Sequence, residues 1–295
     1  MQRYDLVAMS RTIAEFRIPE ELASIYLDPN TGRSLGGSVR KVVVDTTDPL
    51  YARIEAIHQE LRARGDFFVL GWDLRQKASD EELARAELFH LRITSVFEPS
   101  GEECGTEYDE SAACPVCGAG RRPAGPLRLN ASRVPLKADV AATISRDEWI
   151  VSERVVDLLE KVGATGLELR PVEHVGRSKP RTRWFQMLFT SPPVRTVPPT
   201  RFGIKPIEPD LEGEYRCPVC TTAGLALISE VWVDRKSWTG DDFVRSREFV
   251  GYKRGLLRPA PLLFLSPRIW RLFQEHKVRG FRAEIAYLAP RDVDP

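Results

Sequence analysis

The spacing of apolar residues in the first hundred positions predicts a small α+β unit. Between Asp48 and Arg64, apolar residues recur every three or four positions, which is typical of a helix with one buried face, and Gly65 ends the pattern. Ser79, followed three residues later by Glu82, predicts a capping box that opens a second, shorter helix. Strands are predicted where short runs of β-branched, aromatic or other apolar residues occur: 41–45, 67–72 and 89–97.

Two strand–helix–strand elements of similar sequence follow further along the chain. In each, an apolar run precedes a serine suited to the helix N-cap position, and a glycine separates the helix from the next strand. The serines are Ser152 and Ser266, and the glycines are Gly166 and Gly280. Pro267 occupies the first helical position of the second element, where its missing N–H costs nothing. The pattern predicts an internal duplication, with copies over about 104–190 and 207–290.

Each repeat follows a Cys-Pro-Val-Cys motif, and the two motifs are the clearest chemical signal in the chain. They place cysteines at Cys114, Cys117, Cys217 and Cys220. Two cysteines three positions apart on a tight turn can direct both sulfurs at one metal ion, so two such turns supply the four thiolates of a structural zinc site. Roughly a hundred residues separate the motifs, against the roughly 15–20 of a compact zinc ribbon, so the ion would join distant parts of the chain.

Other interpretations of the five cysteines stay open at this stage. Cys104, Cys114 and Cys117 form an alternative set of three metal ligands. The fourth ligand of that set would be His90 or one of the later cysteines. Either motif could instead hold a redox-active dithiol, although no thioredoxin-like strand-to-helix context surrounds it. The cysteines could also be small buried apolar residues.

Composition and charge exclude several classes of protein. Hydrophobic residues make up 42% and charged residues 29%, with a net charge of +1, which is ordinary for a globular chain and far from a disordered or strongly basic one. No run approaches the ~18 apolar residues of a membrane span, and the first residues lack the apolar core of a signal peptide. We therefore expect a cytoplasmic protein with no membrane partner, where reduced thiols favour metal over disulfide.

No motif in the chain indicates a particular catalytic reaction. P-loop, dinucleotide-binding, nucleophile-elbow and His-Glu-x-x-His patterns are missing from the sequence. Two basic segments, 177–183 and 253–258, could follow a nucleic-acid backbone, and the first carries Trp184 and Phe185 beside it. A solvated surface is the simpler interpretation of both segments. A hydrolase or nuclease with dispersed carboxylates is a third, weaker hypothesis.

The paired motifs and the segment that begins at Ser152 also resemble a known family. Over about 104–295 the chain is similar to the double-CxxCG motif proteins of myxobacteria, some of which are immunity proteins against swarm-inhibition toxins. The first motif matches fully, since Gly118 follows Cys117, whereas Thr221 stands in place of the second glycine. The resemblance implies a non-enzymatic protein that binds and neutralises a protein toxin, with the cysteines in a structural role.

Together these observations predict an α+β protein with mixed sheets and a few short helices. We expect an N-terminal α+β domain over 1–98 and a zinc-binding domain over 99–295, whose two similar strand–helix–strand lobes are tied by a pair of zinc knuckles. The expected function is binding of a protein partner, a toxin, with nucleic-acid binding as the alternative. The expected cofactor is one structural Zn²⁺ held by Cys114, Cys117, Cys217 and Cys220.

Overall fold

The computed structural model describes residues 11–290, and they begin with a four-stranded antiparallel sheet. Two helices cover one face of this sheet, and its strands lie in the order β2-β3-β1-β4. Phe16, Ile54 and Phe68 are fully buried between the sheet and the helices. The elements are β1 (Arg11–Pro19), α1 (Glu20–Tyr26), β2 (Arg33–Ser34), β3 (Val39–Asp45), α2 (Pro49–Ala63) and β4 (Gly71–Lys77).

Short strands and three helices make up the rest of the described chain. Two brief 3-10 turns lie at Ala131–Arg133 and Arg235–Ser237. The remaining elements, in chain order, are α3 (Asp80–Arg85), β5 (Leu88–Ile93), β6 (Val96–Phe97), β7 (Tyr108–Asp109), β8 (Arg122–Pro123), β9 (Arg128–Leu129), β10 (Val140–Thr143), β11 (Trp149–Ser152), α4 (Glu153–Lys161), β12 (Leu167–Pro171), β13 (Glu173–His174), β14 (Trp184–Phe189), β15 (Phe202–Lys205), β16 (Glu208–Pro209), β17 (Thr222–Gly224), β18 (Ala226–Leu227), β19 (Val231–Val233), β20 (Phe243–Val250), β21 (Ala260–Leu265), α5 (Pro267–Glu275) and β22 (Phe281–Leu288).

Two larger sheets carry the predicted lobes. A five-stranded sheet has the order β12-β14-β11-β10-β6, and a six-stranded sheet has the order β17-β20-β21-β5-β22-β19. Helices α4 and α5 share one core with the inner faces of both sheets. The α+β class and the two similar lobes are therefore confirmed. We call 140–171 the first lobe and 243–288 the second lobe.

The two lobes have the same topology. Each consists of an antiparallel hairpin, a helix of nine residues and a strand that lies two positions away from the hairpin in the sheet. The strand between them is antiparallel to both neighbours in each case. That strand is β14 in the first lobe and β5 in the second.

These two inserted strands are exchanged between the halves of the chain. β5 precedes the first lobe along the chain but lies in the sheet of the second lobe, whereas β14 precedes the second lobe but lies in the sheet of the first. Their sequences correspond, because each has phenylalanine as its second residue and is followed by Thr-Ser. The amide of Thr94 donates to the carbonyl of Gly280 at 2.8 Å, and that of Thr190 donates to Gly166 at 3.0 Å.

Two equivalent arginines, one in each lobe, connect the lobes to each other. In the first lobe, Arg154 contacts Asp139 at 2.7 Å and donates to the carbonyl of His276, which ends α5. In the second lobe, Arg268 contacts Asp242 and donates to the carbonyl of Val162, which ends α4. Each arginine therefore satisfies a carbonyl at the end of the opposite helix, a place where intrahelical donors run out.

The structure corrects two expectations. The run 67–72 is mostly irregular, and its strand begins at Gly71, while Phe68 and Val69 fill the core from a loop. The single strand expected over 89–97 is β5 and β6, which lie in the six-stranded and the five-stranded sheet. Residues 1–10 and 291–295, included in the expected domains, lie outside the described residues.

Among the described residues, no helix combines the length and the apolar character needed to cross a membrane.

Candidate metal centre

The first knuckle, 114–119, is a tight turn closed by backbone hydrogen bonds. The amide of Cys114 donates to the carbonyl of Ala119 at 2.9 Å, and the amide of Gly118 donates to Cys114 at 2.8 Å. Gly118 has a φ of 69°, a left-handed conformation that glycine adopts without strain. The turn therefore brings Cys114 and Cys117 to the same side, as their spacing predicts.

The second knuckle, 217–222, repeats this turn with a different support. The amide of Cys217 donates to the carbonyl of Thr222 at 3.0 Å, the counterpart of the bond from Cys114 to Ala119. Thr222 begins β17, which pairs in parallel with β20. The hydroxyl of Thr221 donates to the carbonyl of Arg247 at 2.6 Å. The second knuckle is thus fixed directly to the six-stranded sheet.

The four cysteine sulfurs meet across the two knuckles. Cys114 Sγ lies 3.5 Å from Cys217 Sγ, and Cys117 Sγ lies 3.4 Å from Cys220 Sγ. All four sulfurs lie within 4.8 Å of one another. A tetrahedral zinc ion with Zn–S bonds of about 2.3 Å requires neighbouring sulfurs about 3.8 Å apart. The four cysteines are therefore placed to hold one metal ion, and the residue set fits zinc.

Local hydrogen bonds set the electrostatics of the four sulfurs. The amide N–H of Cys117 hydrogen-bonds to the Cys114 sulfur and lowers the pKa of that thiol. Burial raises the pKa of Cys117 and of Cys220. The hydroxyl of Thr222 lies 3.3 Å from both of these sulfurs. A bound cation would offset the cost of burying these sulfurs as thiolates, because metal binding stabilises thiolates and releases the thiol protons.

A buried ion network holds the loop that carries the first knuckle. The guanidinium of Arg121 donates to Asp147 at 2.9 Å and to Glu102 at 2.8 Å, and it lies 3.8 Å from the ring centre of Tyr108. Glu148, also buried, accepts the amide of Gly101 at 2.9 Å and the Tyr108 hydroxyl. Burial raises the pKa of Glu148. The loop that carries the first knuckle therefore has a buried polar core.

Cys104 and His90, considered above as alternative ligands, lie outside the four-cysteine group. Cys104 is half-buried near Asn130, and burial raises the pKa of its thiol. His90 is buried on β5 within the six-stranded sheet.

The basic segments 177–183 and 253–258 are only partly free. Arg183 pairs with Glu153, and Arg258 is buried and pairs with Glu102. Trp184 is buried in a core, so its ring faces no solvent-borne base. Trp184 is therefore a packing residue, whereas Phe185 is half-buried, with the guanidinium of Arg183 5.3 Å from its ring centre.

Several residues of the centre carried no sequence signal. Thr222 could be found only by aligning the knuckles, where it stands opposite Ala119. Arg121 and Glu148 look like ordinary loop charges in sequence, and only tertiary contacts with Glu102, Asp147 and Tyr108 reveal their burial.

Compared with known proteins, the chain matches no protein-family model and no curated protein.

Proposed function

We propose that the chain is a zinc protein in which one structural ion, bound by Cys114, Cys117, Cys217 and Cys220, ties the two halves together. The observation that carries this proposal is the mutual approach of the four sulfurs to within 4.8 Å. An all-thiolate set favours zinc over the hard cations, which prefer oxygen. Four protein ligands leave no open position for water, so the ion would supply stability and not a catalytic hydroxide.

The test is the zinc content of the purified full chain, measured by inductively coupled plasma mass spectrometry. We expect one zinc per chain and loss of zinc in the Cys114→Ser/Cys117→Ser variant. Cys104→Ser is the matched control and is expected to keep its zinc, because Cys104 lies outside the group. Zinc-free wild-type protein that refolds equally well with and without added zinc would contradict the proposal.

We further infer that the chain acts by binding, as an immunity-type protein that neutralises a protein toxin. Support comes from the resemblance of the cysteine motifs to the double-CxxCG proteins and from the structural character of the metal set. Val116 and Val219, at the tips of the knuckles, are 55% and 60% exposed, as a protein-binding surface would have them. The engaged state of Arg183 and Arg258 makes nucleic-acid binding the weaker alternative.

An affinity pull-down from nuclease-treated lysate of the source cells, read by mass spectrometry, tests this inference. A stoichiometric protein partner that is toxic when expressed alone, and harmless when co-expressed with this chain, is the expected result. Wild-type chain is compared with a Val116→Asp/Val219→Asp variant, which keeps all four cysteines. Recovery of RNA or DNA without nuclease, and of no protein with it, would replace the toxin proposal by the nucleic-acid alternative.

A further inference from the structure

A cavity of about 640 Å³ lies where the N-terminal sheet meets the six-stranded sheet. Its lining comes from edge strand β4, from β5 and β21, and from the segment 225–231. Its volume lies within the roughly 300–1,000 Å³ of small-molecule sites, which favour junctions of this kind. It is separate from the cysteine sulfurs, none of which lines it.

His90 lines this cavity, and its ring nitrogens make no hydrogen bond within residues 11–290. Its side chain is 8% exposed, and the nearest charged oxygen, on Glu284, is 4.0 Å from Nδ1, beyond hydrogen-bond distance. Burial, aided by Arg92 and Arg282, lowers the pKa of His90 to about 3, so the ring is neutral. A neutral imidazole has one donor and one acceptor, and leaving both unpaired in a buried place costs folding free energy.

The acidic groups around the cavity are already engaged. Asp73 contacts Arg92 at 3.1 Å and Arg282 at 3.0 Å, and Glu284 pairs with the same two arginines. Glu230 accepts the hydroxyl of Thr12 at 2.5 Å. These carboxylates therefore present little free negative charge to a ligand.

Two lining arginines keep unused donors. Arg258 is buried, and its Nε has no partner among the described residues, although its terminal nitrogens contact Glu102 and backbone carbonyls. Arg146 is exposed and makes no side-chain hydrogen bond or ion pair within residues 11–290, and its φ of 70° is unusual for a residue with a side chain. The free hydrogen-bonding capacity of the cavity is therefore mainly cationic donors.

Three aromatic residues, Trp72, Trp149 and Tyr252, line the same cavity. Flat side chains of this kind pack against planar rings. We propose that the cavity binds a small organic anion that carries a planar ring, with its anionic group at Arg146 and a polar ring atom against His90. Aromatic carboxylates and ring-bearing phosphates share this chemistry.

The test uses the zinc-loaded full chain and an anilinonaphthalene sulfonate dye, a planar aromatic anion, followed by fluorescence titration. We expect saturable binding of one dye per chain. Arg146→Gln is expected to weaken it about tenfold, the effect of losing one charge-assisted contact. Arg133→Gln is the matched control, since Arg133 is exposed, unpaired within the described chain and outside the cavity.

His90→Leu separates a binding role from a structural one. Replacing an unpaired buried polar group by an apolar one of similar size is expected to leave the melting temperature unchanged or higher by roughly 2–4 °C, while dye affinity falls about tenfold. Displacement of the dye by an aromatic carboxylate or by a nucleoside monophosphate then tells the two ligand sources apart. Non-saturable dye uptake, or wild-type affinity in either Arg146→Gln or His90→Leu, would overturn the proposal.

Discussion

The two knuckles make the same turn and present the same pair of sulfurs, yet the chain supports them in different ways. The second is attached to a sheet through β17 and the hydroxyl of Thr221. The first lies in a loop whose order depends on a buried arginine, Arg121, and its acidic partners. The same placement of two sulfurs is therefore reached with two different sets of supporting contacts.

The lobes differ in the same manner at their matched ion pairs. Asp242 is buried and accepts bonds from Ser266 at 2.7 Å, from the amide of Thr165 at 3.0 Å and from Arg268. Asp139, its counterpart, also accepts a backbone amide, that of Arg279 at 3.0 Å, but it is half-buried and the hydroxyl of Ser152 is 3.4 Å away. Ser266 caps its helix through the amide of Ile269, whereas Ser152 makes no such bond. The second lobe is the more tightly bonded copy.

The largest effect is expected at the proposed zinc site. Cys114→Ser and Cys217→Ser should each lower the free energy of unfolding by about 4 kcal/mol, the linkage expected for zinc at a thousandfold excess over its Kd. Because both cysteines would hold the same proposed ion, the double variant should cost little more than either single variant. Urea unfolding of the three variants measures this. Additive losses would mean that the knuckles are stabilised independently.

Next in size are the glycines at the lobe junctions. A Cβ on Gly166 would lie 2.2 Å from the carbonyl oxygen of Phe243, and one on Gly280 would lie 1.9 Å from that of Val140. We expect Gly166→Ala and Gly280→Ala each to cost about 3 kcal/mol, from backbone clash and positive φ together. Gly163→Ala is the control, because Gly163 has positive φ but open space, and should cost about 1 kcal/mol. Thermal unfolding distinguishes these values.

Substituting the matched aspartates, Asp242 and Asp139, should lower the free energy of unfolding by smaller and unequal amounts. Asp242→Asn is expected to lower the free energy of unfolding by about 2 kcal/mol and Asp139→Asn by about 1 kcal/mol, because Asp242 is more buried and its bond from the serine hydroxyl is shorter. Equal losses would show that the extra burial of Asp242 has no energetic value.

Lowering the pH should reduce the difference in the free energy of unfolding between the wild type and the Asp242→Asn variant. Burial raises the pKa of Asp242, but the bonds from Arg268 and Ser266 outweigh burial and leave it below 3.8. The stability that the ionised Asp242 carboxylate contributes to the folded state is therefore fully present above pH 3.8. It is lost as the pH falls through the lower pKa of the folded state. Chemical unfolding at a series of pH values measures the convergence, and a constant difference across that range would contradict it.

An effect close in size to that of Asp139→Asn is expected at Thr222, the residue that distinguishes the knuckles. Thr222→Val removes the hydroxyl 3.3 Å from two of the sulfurs and should weaken zinc binding about tenfold, as loss of an outer-sphere contact does. Thr221→Val is the control, because its hydroxyl bonds to a carbonyl and not to a sulfur. Competition with a chromogenic chelator gives both affinities, and equal affinities would assign Thr222 no role at the metal.

Local patterns predicted the parts of the fold that depend on neighbouring residues. The helix from Pro49 to Ala63, the capping box at Ser79 and the placement of Pro267 follow from spacing and capping rules, and the structure confirms all three. The four ligands also follow from spacing, because each pair is set by its own turn. The motif alone could not exclude Cys104 from the set.

The sequence could not predict the features that depend on contacts between distant segments of the chain. Nothing in the run Leu88–Ile93 indicates that it crosses into the second lobe, since its apolar pattern suits either sheet. The cavity beside His90 is similarly invisible, because its walls come from segments that are far apart in sequence.

Because the strands are exchanged, β5 is synthesised long before the strand β22 with which it pairs. β5 ends at Ile93, but its partner β22 begins only at Phe281. At the ~5–20 residues per second of translation, β5 waits roughly 10–40 s for its neighbour. During that interval the backbone edge of β5 is open to pairing with other chains.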